Sequence, residues 1–572
     1  MIDRQSIQSE AAAQLRQLID TEWESRLKDD PLFATDVGDH RYDDRLPVVT
    51  EDDFARRLAQ ARSFLDRLAR IDRGALSPAE RLNYDIFKRT KADEIAEYEF
   101  RAYTRPIDVM GGFHANFVEL PSLIRLDTLP DYENLVARLN GFRTYAGQYI
   151  ELMRGALRDG YLPARVSLRG VEDSIRPHVV AEPEHSILFE PFKKLPATIG
   201  AADQQRLAEA ARAAIAHSVV PGYRALLQFV TEEYLPAARS SIAASDLPNG
   251  RAFYEQRVRS FTTLNLTPQQ VHATGHSEVK RIRAEMDAII RKVGFTGDFK
   301  AFVQFLRTDP RFYAETPAAL MKEVALILKR MDGELPRLFK TLPRMPYGIK
   351  PVPDYIAPST TTAYYMQPSG DGTRAGFYYV NTYNLKSRPF YELEALSLHE
   401  AVPGHHLQLA LQQELPNMPA FRRFGGFTAF IEGWGLYAER LGLETGFYTD
   451  PYNDFGRLTY EMWRACRLGG DTGMHYLGWT RQQAIDFMAA NTALTLLNIE
   501  NEIDRYISMP GQALAYKTGE LKIRELREHA CQVLGSKFDI REFHEVVLRD
   551  GALPLDVLER VVENWLAEQS HS

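Results

Sequence analysis

The chain is poor in cysteine. Its 572 residues include two, Cys466 and Cys531, too few for a disulfide framework or a cysteine-built zinc site. Long apolar runs are missing as well: no uninterrupted stretch approaches the roughly 18 residues that a membrane span requires. The opening residues, MIDRQSIQSEAAAQLRQLIDTEWESRL, have a charged amphipathic pattern without the apolar centre of a secretory signal. Nor is positive charge in excess. The 69 Lys and Arg stand against 77 Asp and Glu, a net charge of −8, which leaves no electrostatic footprint for a phosphate backbone. Internal repeats and low-complexity linkers are absent. These absences exclude a nucleic-acid partner and a membrane partner, and lead to the expectation of a reduced, cytoplasmic protein. A homodimer is compatible with them.

Helical patterning fills most of the chain. Apolar residues recur three and four apart, as at Leu15, Leu18, Ile19 and Trp23. Helix starts are explicit at Ser77-Pro78-Ala79-Glu80, Thr267-Pro268-Gln269-Gln270 and Thr480-Arg481-Gln482-Gln483, each an N-cap hydroxyl with Glu or Gln three residues on. The texture changes over residues 343–384, where Pro, Gly, Tyr and Thr replace the Ala/Leu/Arg background. Residues 361–366 (TTAYYM) and 376–383 (GFYYVNTY) read as two strands joined by the turn at 368–372. The expected fold is mostly α, a large helical protein with a deep cleft and a small hairpin or sheet beside a metal-binding helix. Its halves are residues 1–245, helical throughout, and 246–572, which hold the sheet and the site.

The most informative stretch is residues 399–408, HEAVPGHHLQ, which contains three of the chain's 14 histidines. His-Glu at the end of an apolar helical run is how zinc hydrolases pair a metal ligand with a general base. In the usual motif the second histidine stands at i+4, on the same helix face. Here Pro403 takes that place, and the next histidines are His405 and His406. In an ideal helix His406, at i+7, is about 10.5 Å along the axis from His399, and His405 is about 240° round it. Proline removes an N–H and glycine permits unusual dihedrals, so Pro403-Gly404 could rewind the helix into a wider turn. His405 then becomes the expected second ligand, with His406 turned away toward a carboxylate such as Glu439.

A catalytic zinc site takes three protein ligands and keeps one position open. Glu432, set between Ile431 and Gly433-Trp434-Gly435, is the expected third ligand, because a carboxylate in so apolar a setting is uncommon unless paired or metal-bound. A structural ion pair is the alternative. Glu439, nearly on the same face, could orient a histidine. Glu400 is the expected general base, taking the proton of the water that the metal acidifies. A tetrahedral intermediate needs a donor opposite the metal, and His475 and Tyr516 are the candidates, with Asp471 placed to orient the His475 ring. His406, Glu439 and Asp471 are also alternative ligands. Arg464 and Arg467 could bind a substrate carboxylate or hold a glutamate. Gly376, Phe377 and Tyr378 are expected to bind substrate, as an exposed strand edge to which an extended peptide could add.

The motif His399-Glu400-Ala401-Val402-Pro403-Gly404-His405-His406 resembles the signature of the bacterial DUF885 family, whose activity is poorly defined. Further similarities run along nearly the whole chain: GDHRYDDRLP at 38–47, EYLPAAR at 233–239, LTPQQVH at 266–272, EGWGLYAE at 432–439, DTGMHYLGWT at 471–480 and PGQALAY at 510–516. The motif is also distantly similar to those of helical zinc oligopeptidases and carboxypeptidases, which enclose a channel with a small sheet beside the zinc. In those enzymes Gly-His marks the second ligand, and the resemblance implies the same for Gly404-His405. The insert containing Pro403 departs from their pattern. The resulting expectation is a zinc metallopeptidase, with one zinc per chain, that hydrolyses short peptides. The alternatives are an amidohydrolase acting on a modified amino acid or small amide, and a non-catalytic metal- or peptide-binding protein.

Overall fold

The capping boxes are in place. In the computed structural model, which describes residues 4–354, 357–358, 361–370 and 372–570, Ser77, Thr267 and Thr480 each accept from the backbone N–H three residues on, and Glu80, Gln270 and Gln483 reach back to the cap. Helix makes up 71% of the structure, and among the described residues the sheets have only two and three strands. The protein is therefore mostly α. None of the described helices is long and apolar enough to cross a membrane.

The chain divides into two compact units, Met1–Phe253 and Tyr254–Ser572. In the first, the helix Leu129–Arg158 buries Leu135, Leu139, Phe142 and Tyr145 along one face. They share a core with Tyr223 and Leu226 of the helix Val220–Phe229. A two-residue ladder pairs Ile107–Asp108 with Gly111–Gly112, a β element outside the region where strands were expected.

The second unit is organised around the helix Pro451–Tyr476. From Phe455 to His475 every residue except Trp463 is buried. The helix Pro268–Lys292 packs along it through Val271, Val279, Ile282, Met286 and Ile289, the three-and-four spacing of an amphipathic face. Lys517, fully buried, ties three helices together. Its Nζ lies 3.0 Å from Glu278, 2.8 Å from Glu461 and 2.7 Å from Glu520.

The sheet next to the histidine motif has three strands in the order Tyr347–Pro351, Gly376–Val380, Ala363–Met366. The expected hairpin is present as the antiparallel pair Ala363↔Val380 to Met366↔Phe377; Asp371 of its turn lies outside the described residues. The third strand, Tyr347–Pro351, runs parallel to Gly376–Val380 from Tyr347↔Gly376 to Pro351↔Val380. Gly376–Val380 is therefore the central strand. Its backbone pairs on both sides, and the expectation that it offers an edge to an extended substrate is corrected. Tyr347–Pro351 takes the outer position, where its terminal proline costs no ladder bond.

Candidate metal centre

The helix Phe390–Glu400 carries His399 and Glu400 on its last turn and is buried from Tyr391 to His399. It does not continue into the second half of the motif. Ala401 has φ −105° and ψ −103°, and Gly404 has φ −78° and ψ −126°. A new helix, His405–Glu414, then begins. The expected widened turn within one helix is thus replaced by a break between two. The Val402–Pro403 peptide is cis, and Trp434 pins the linker by donating its indole N–H to Pro403 O at 2.8 Å. Gly404 is needed for space, since a Cβ there would lie 1.9 Å from the carbonyl oxygen of His399.

This break brings His405 to His399. Their ring centroids are 4.7 Å apart and nearly perpendicular. The helix Thr428–Leu441 supplies Glu432, whose Oε2 lies 3.5 Å from Nε2 of His399 and 3.5 Å from Nε2 of His405. One donor atom from each of His399, His405 and Glu432 falls within 4.8 Å of the others. Four-coordinate zinc with bonds of about 2.0–2.2 Å holds its ligand atoms roughly 3.3–3.5 Å apart, so the donor set fits that ion in chemistry and in spacing. The same helix provides room for the ring. A Cβ on Gly435 would meet His399 Cε1 at 2.7 Å and Nε2 at 2.9 Å.

Behind the donors, Glu439 Oε1 accepts from Nδ1 of His399 at 2.8 Å. Arg464 Nη2 lies 3.5 Å from the same oxygen. Burial opposes charge on His399, but its hydrogen bonds to Glu432 and Glu439 outweigh that and raise its pKa to about 10. Burial likewise penalises the Glu432 carboxylate, yet His405 and His399 hold it well below the usual range. Two carboxylates converge on one imidazole, an arrangement that calls for positive charge at its centre. The Nδ1 of His405 is buried without a hydrogen-bond partner.

His406 faces the sheet. Its Nε2 donates to Met345 O at 3.0 Å, and its Nδ1 accepts from the Tyr365 hydroxyl at 2.8 Å. Burial lowers its pKa to about 4. With both nitrogens engaged, the ring has no lone pair to offer an ion. The expected partner of His406, Glu439, is bonded to His399 instead. Gly376 makes room for this contact, as a Cβ there would meet the Tyr365 hydroxyl at 2.1 Å and His406 Nδ1 at 3.0 Å. The neighbour that comes close to Gly376 is therefore the protein's own. Tyr378 is fully buried, and Phe377 lies under Lys350 Nζ at 3.8 Å.

Glu400 is half-buried and makes no hydrogen bond or ion pair among the described residues, although its charge acts on both His399 and Tyr378. Arg467 donates to Glu502 at 3.0 Å and to the Tyr506 hydroxyl at 2.8 Å. Arg464 and Arg467 thus both face glutamates. The structure does not bring His475 to the donors. It shares a helix with Arg464 but is 11 residues on, about 16 Å along the axis, and its Nε2 donates to Tyr506 O at 2.9 Å. Asp471 accepts from the Tyr254 hydroxyl and from Gly511 N, and burial raises its pKa to about 7. Tyr516 stacks over Arg467, 4.3 Å from Cζ to the ring centre, and its hydroxyl accepts from Arg505 at 3.3 Å.

Sequence reasoning missed Tyr365 and Met345, which turn His406 away, and Trp434, which holds the linker. An aromatic near Glu432 was the available signal for Trp434; Tyr365 and Met345 meet His406 from 41 and 61 residues away, which no local pattern shows.

Fold and site together define a mostly helical protein in which two histidines and a glutamate meet beside a three-stranded sheet. The chain belongs to the DUF885 family, bacterial proteins of unknown function, whose sequence profile matches residues 31–562. A candidate lipoprotein from Colwellia psychrerythraea has a similar crystal structure, with a TM-score of 0.90 and 28% identity over 98% of this chain and 99% of that one. A candidate lipoprotein of unknown function from Shewanella oneidensis shares the fold at 18% identity and a TM-score of 0.73, over 96% of this chain and 99% of that one. No curated protein matches the sequence.

Proposed function

We propose that the protein is a zinc-dependent hydrolase that cleaves peptide bonds in short peptides. The observation that carries this reading is the convergence of His399 Nε2, His405 Nε2 and Glu432 Oε2 with Glu400, directly after His399, engaged in no hydrogen bond or ion pair among the described residues. When bound, zinc supplies Lewis acidity, lowering the pKa of water and polarising a carbonyl. Glu439 fixes the His399 tautomer and orientation through Nδ1. Glu400 is free to accept a proton from the attacking water and to pass it to the leaving amine. Arg464 offsets the negative charge that Glu439 adds behind the site.

Hydrolysis of a small amide is the second reading. It is favoured by the central position of Gly376–Val380, which removes the strand edge expected to hold a peptide backbone. We place the activity in the cytoplasm, a reading supported by two free cysteines; the lipoprotein description of the structural relatives points the other way. The test is digestion of a short-peptide library by wild type and by Glu400→Gln. The variant should keep its metal and fold and lose roughly 10²–10⁴ in turnover. A variant within about tenfold of wild type removes Glu400 as the base.

A further inference from the structure

A cavity of about 420 Å³ opens at the N-terminal end of the helix Phe390–Glu400. Cationic side chains outnumber carboxylates in its lining. Arg307, Lys386 and Arg388 line it together with a single carboxylate, Glu392. The fully buried Arg457 and Arg467 face carboxylates, Arg457 meeting Asp454 and Glu461 and Arg467 meeting Glu502, whereas the half-buried Arg283 and Arg422 bond neutral oxygens, as the arginines of this cavity do. Arg307 and Arg388 have no carboxylate within ion-pair distance among the described residues. Their bonds go mainly to neutral oxygens of the backbone. Arg388 donates to Asn381 O at 3.0 Å and to Ser387 O at 2.9 Å. Arg307 donates to Ala493 O at 3.0 Å and to Leu494 O. Arg388 Nη2 and Arg307 Nη1 make no hydrogen bond among the described residues. Burial disfavours the charge on both guanidiniums. Two fixed, partly desolvated guanidiniums with spare donors are the chemistry that recognises a carboxylate.

The cavity and the donor cluster lie along the same two helices. Glu392 stands at i−7 from His399, nearly on the same helix face and about 10.5 Å away along the axis. Tyr460, which also lines the cavity, is one turn before Arg464, whose guanidinium reaches Glu439. An extended peptide advances about 3.3 Å per residue, so some three residues span the distance.

We propose that this cavity binds the free C-terminal carboxylate of a peptide through Arg388 and Arg307, which makes the protein an exopeptidase releasing a C-terminal di- or tripeptide. The assignment of the bound molecule as substrate rests on the hydrolase reading; carboxylate binding by the cavity does not. The test uses full-length Glu400→Gln, so that ligands are not consumed, and follows the fluorescence of Trp463, which lines the cavity; Trp463→Phe identifies its signal. The probes are N-acetyl-Ala-Ala-Ala as free acid, the same peptide as C-terminal amide, and an amide carrying Glu as its last residue. The acid should bind at least about tenfold more tightly than the alanine amide, the gain expected of hydrogen bonds to a charged group, and Arg388→Gln should abolish the difference. Equal binding of acid and amide overturns the proposal, and that comparison needs no cavity variant to fold. Discrimination that persists in a folded Arg388→Gln also overturns it. Binding of the Glu amide as tight as that of the acid assigns the cavity to an acidic side chain and overturns the exopeptidase. Acid-selective binding without any turnover by wild type would retain the cavity and remove the hydrolase, whereas turnover indifferent to C-terminal amidation would do the reverse.

Discussion

Glu439 Oε1 lies 2.8 Å from Nδ1 of His399, and this contact decides which imidazole nitrogen faces Glu432 and His405. The carboxylate can only accept, so Nδ1 keeps its proton, and Nε2 is the nitrogen whose lone pair is offered to a metal that displaces its proton. Such orienting partners are worth about 10–100-fold in metal affinity. Glu439→Gln should therefore bind zinc more weakly by that factor while its ligand set is intact, measured by competition with a chromophoric chelator. Unchanged affinity would show that packing alone orients the ring.

Gly435 gives a sharper test of the same geometry. Alanine in a helix interior is favoured over glycine by roughly 0.5–1 kcal/mol, yet here its Cβ would meet the His399 ring at 2.7–3.1 Å. Gly435→Ala should lose metal affinity by more than about tenfold, with far-UV circular dichroism unchanged. A variant that binds zinc as wild type does would mean that the ring can shift without cost to the site.

The sequence revealed much of the donor set because its features are local. His399 and Glu400 end an apolar run, and Gly404-His405 restarts the chain beyond a proline. How His405 reaches His399 was not legible. A continuous helix with a wider turn was expected, and the chain instead breaks between two helices, held by Trp434 from a third. Strand partners are also remote, so the pairing of Tyr347–Pro351 with Gly376–Val380 could not be read from residues 361–383. The full extent of the helix Pro451–Tyr476 was not legible. Protein surrounds nearly its whole length, and burial of its Arg457, Glu461 and Asp471 is not what those residue types lead one to expect. Glu392 was recoverable, since it stands at i−7 from His399 on the same face, but it matters only once the cavity around Arg307 and Arg388 is seen.

Stability should depend on pH through His544. The ring is fully buried; Nδ1 donates to Leu338 O at 2.9 Å and Nε2 accepts from the Tyr437 hydroxyl at 2.8 Å. Burial pushes its pKa down to about 3. Between that value and the unfolded value of about 6.5 the unfolded chain binds the extra proton. The stabilisation is therefore complete above about pH 6.5 and is lost as pH falls toward 3, by about 1.4 kcal/mol per pH unit. In urea denaturation between pH 6 and 4, wild type should lose stability more steeply than His544→Gln by about that slope. Parallel pH dependences would contradict a buried neutral ring.

The most direct measurement is the zinc content of the purified protein beside His405→Ala and His406→Ala, with hydrolysis assayed before and after chelation. Wild type should carry about one zinc per chain, and chelation should abolish its turnover. His406→Ala should retain the metal, because both nitrogens of that ring are committed to Met345 and Tyr365, and His405→Ala should lose it. Full activity in metal-free wild type would contradict the account. So would a His406→Ala protein that loses zinc while His405→Ala keeps it.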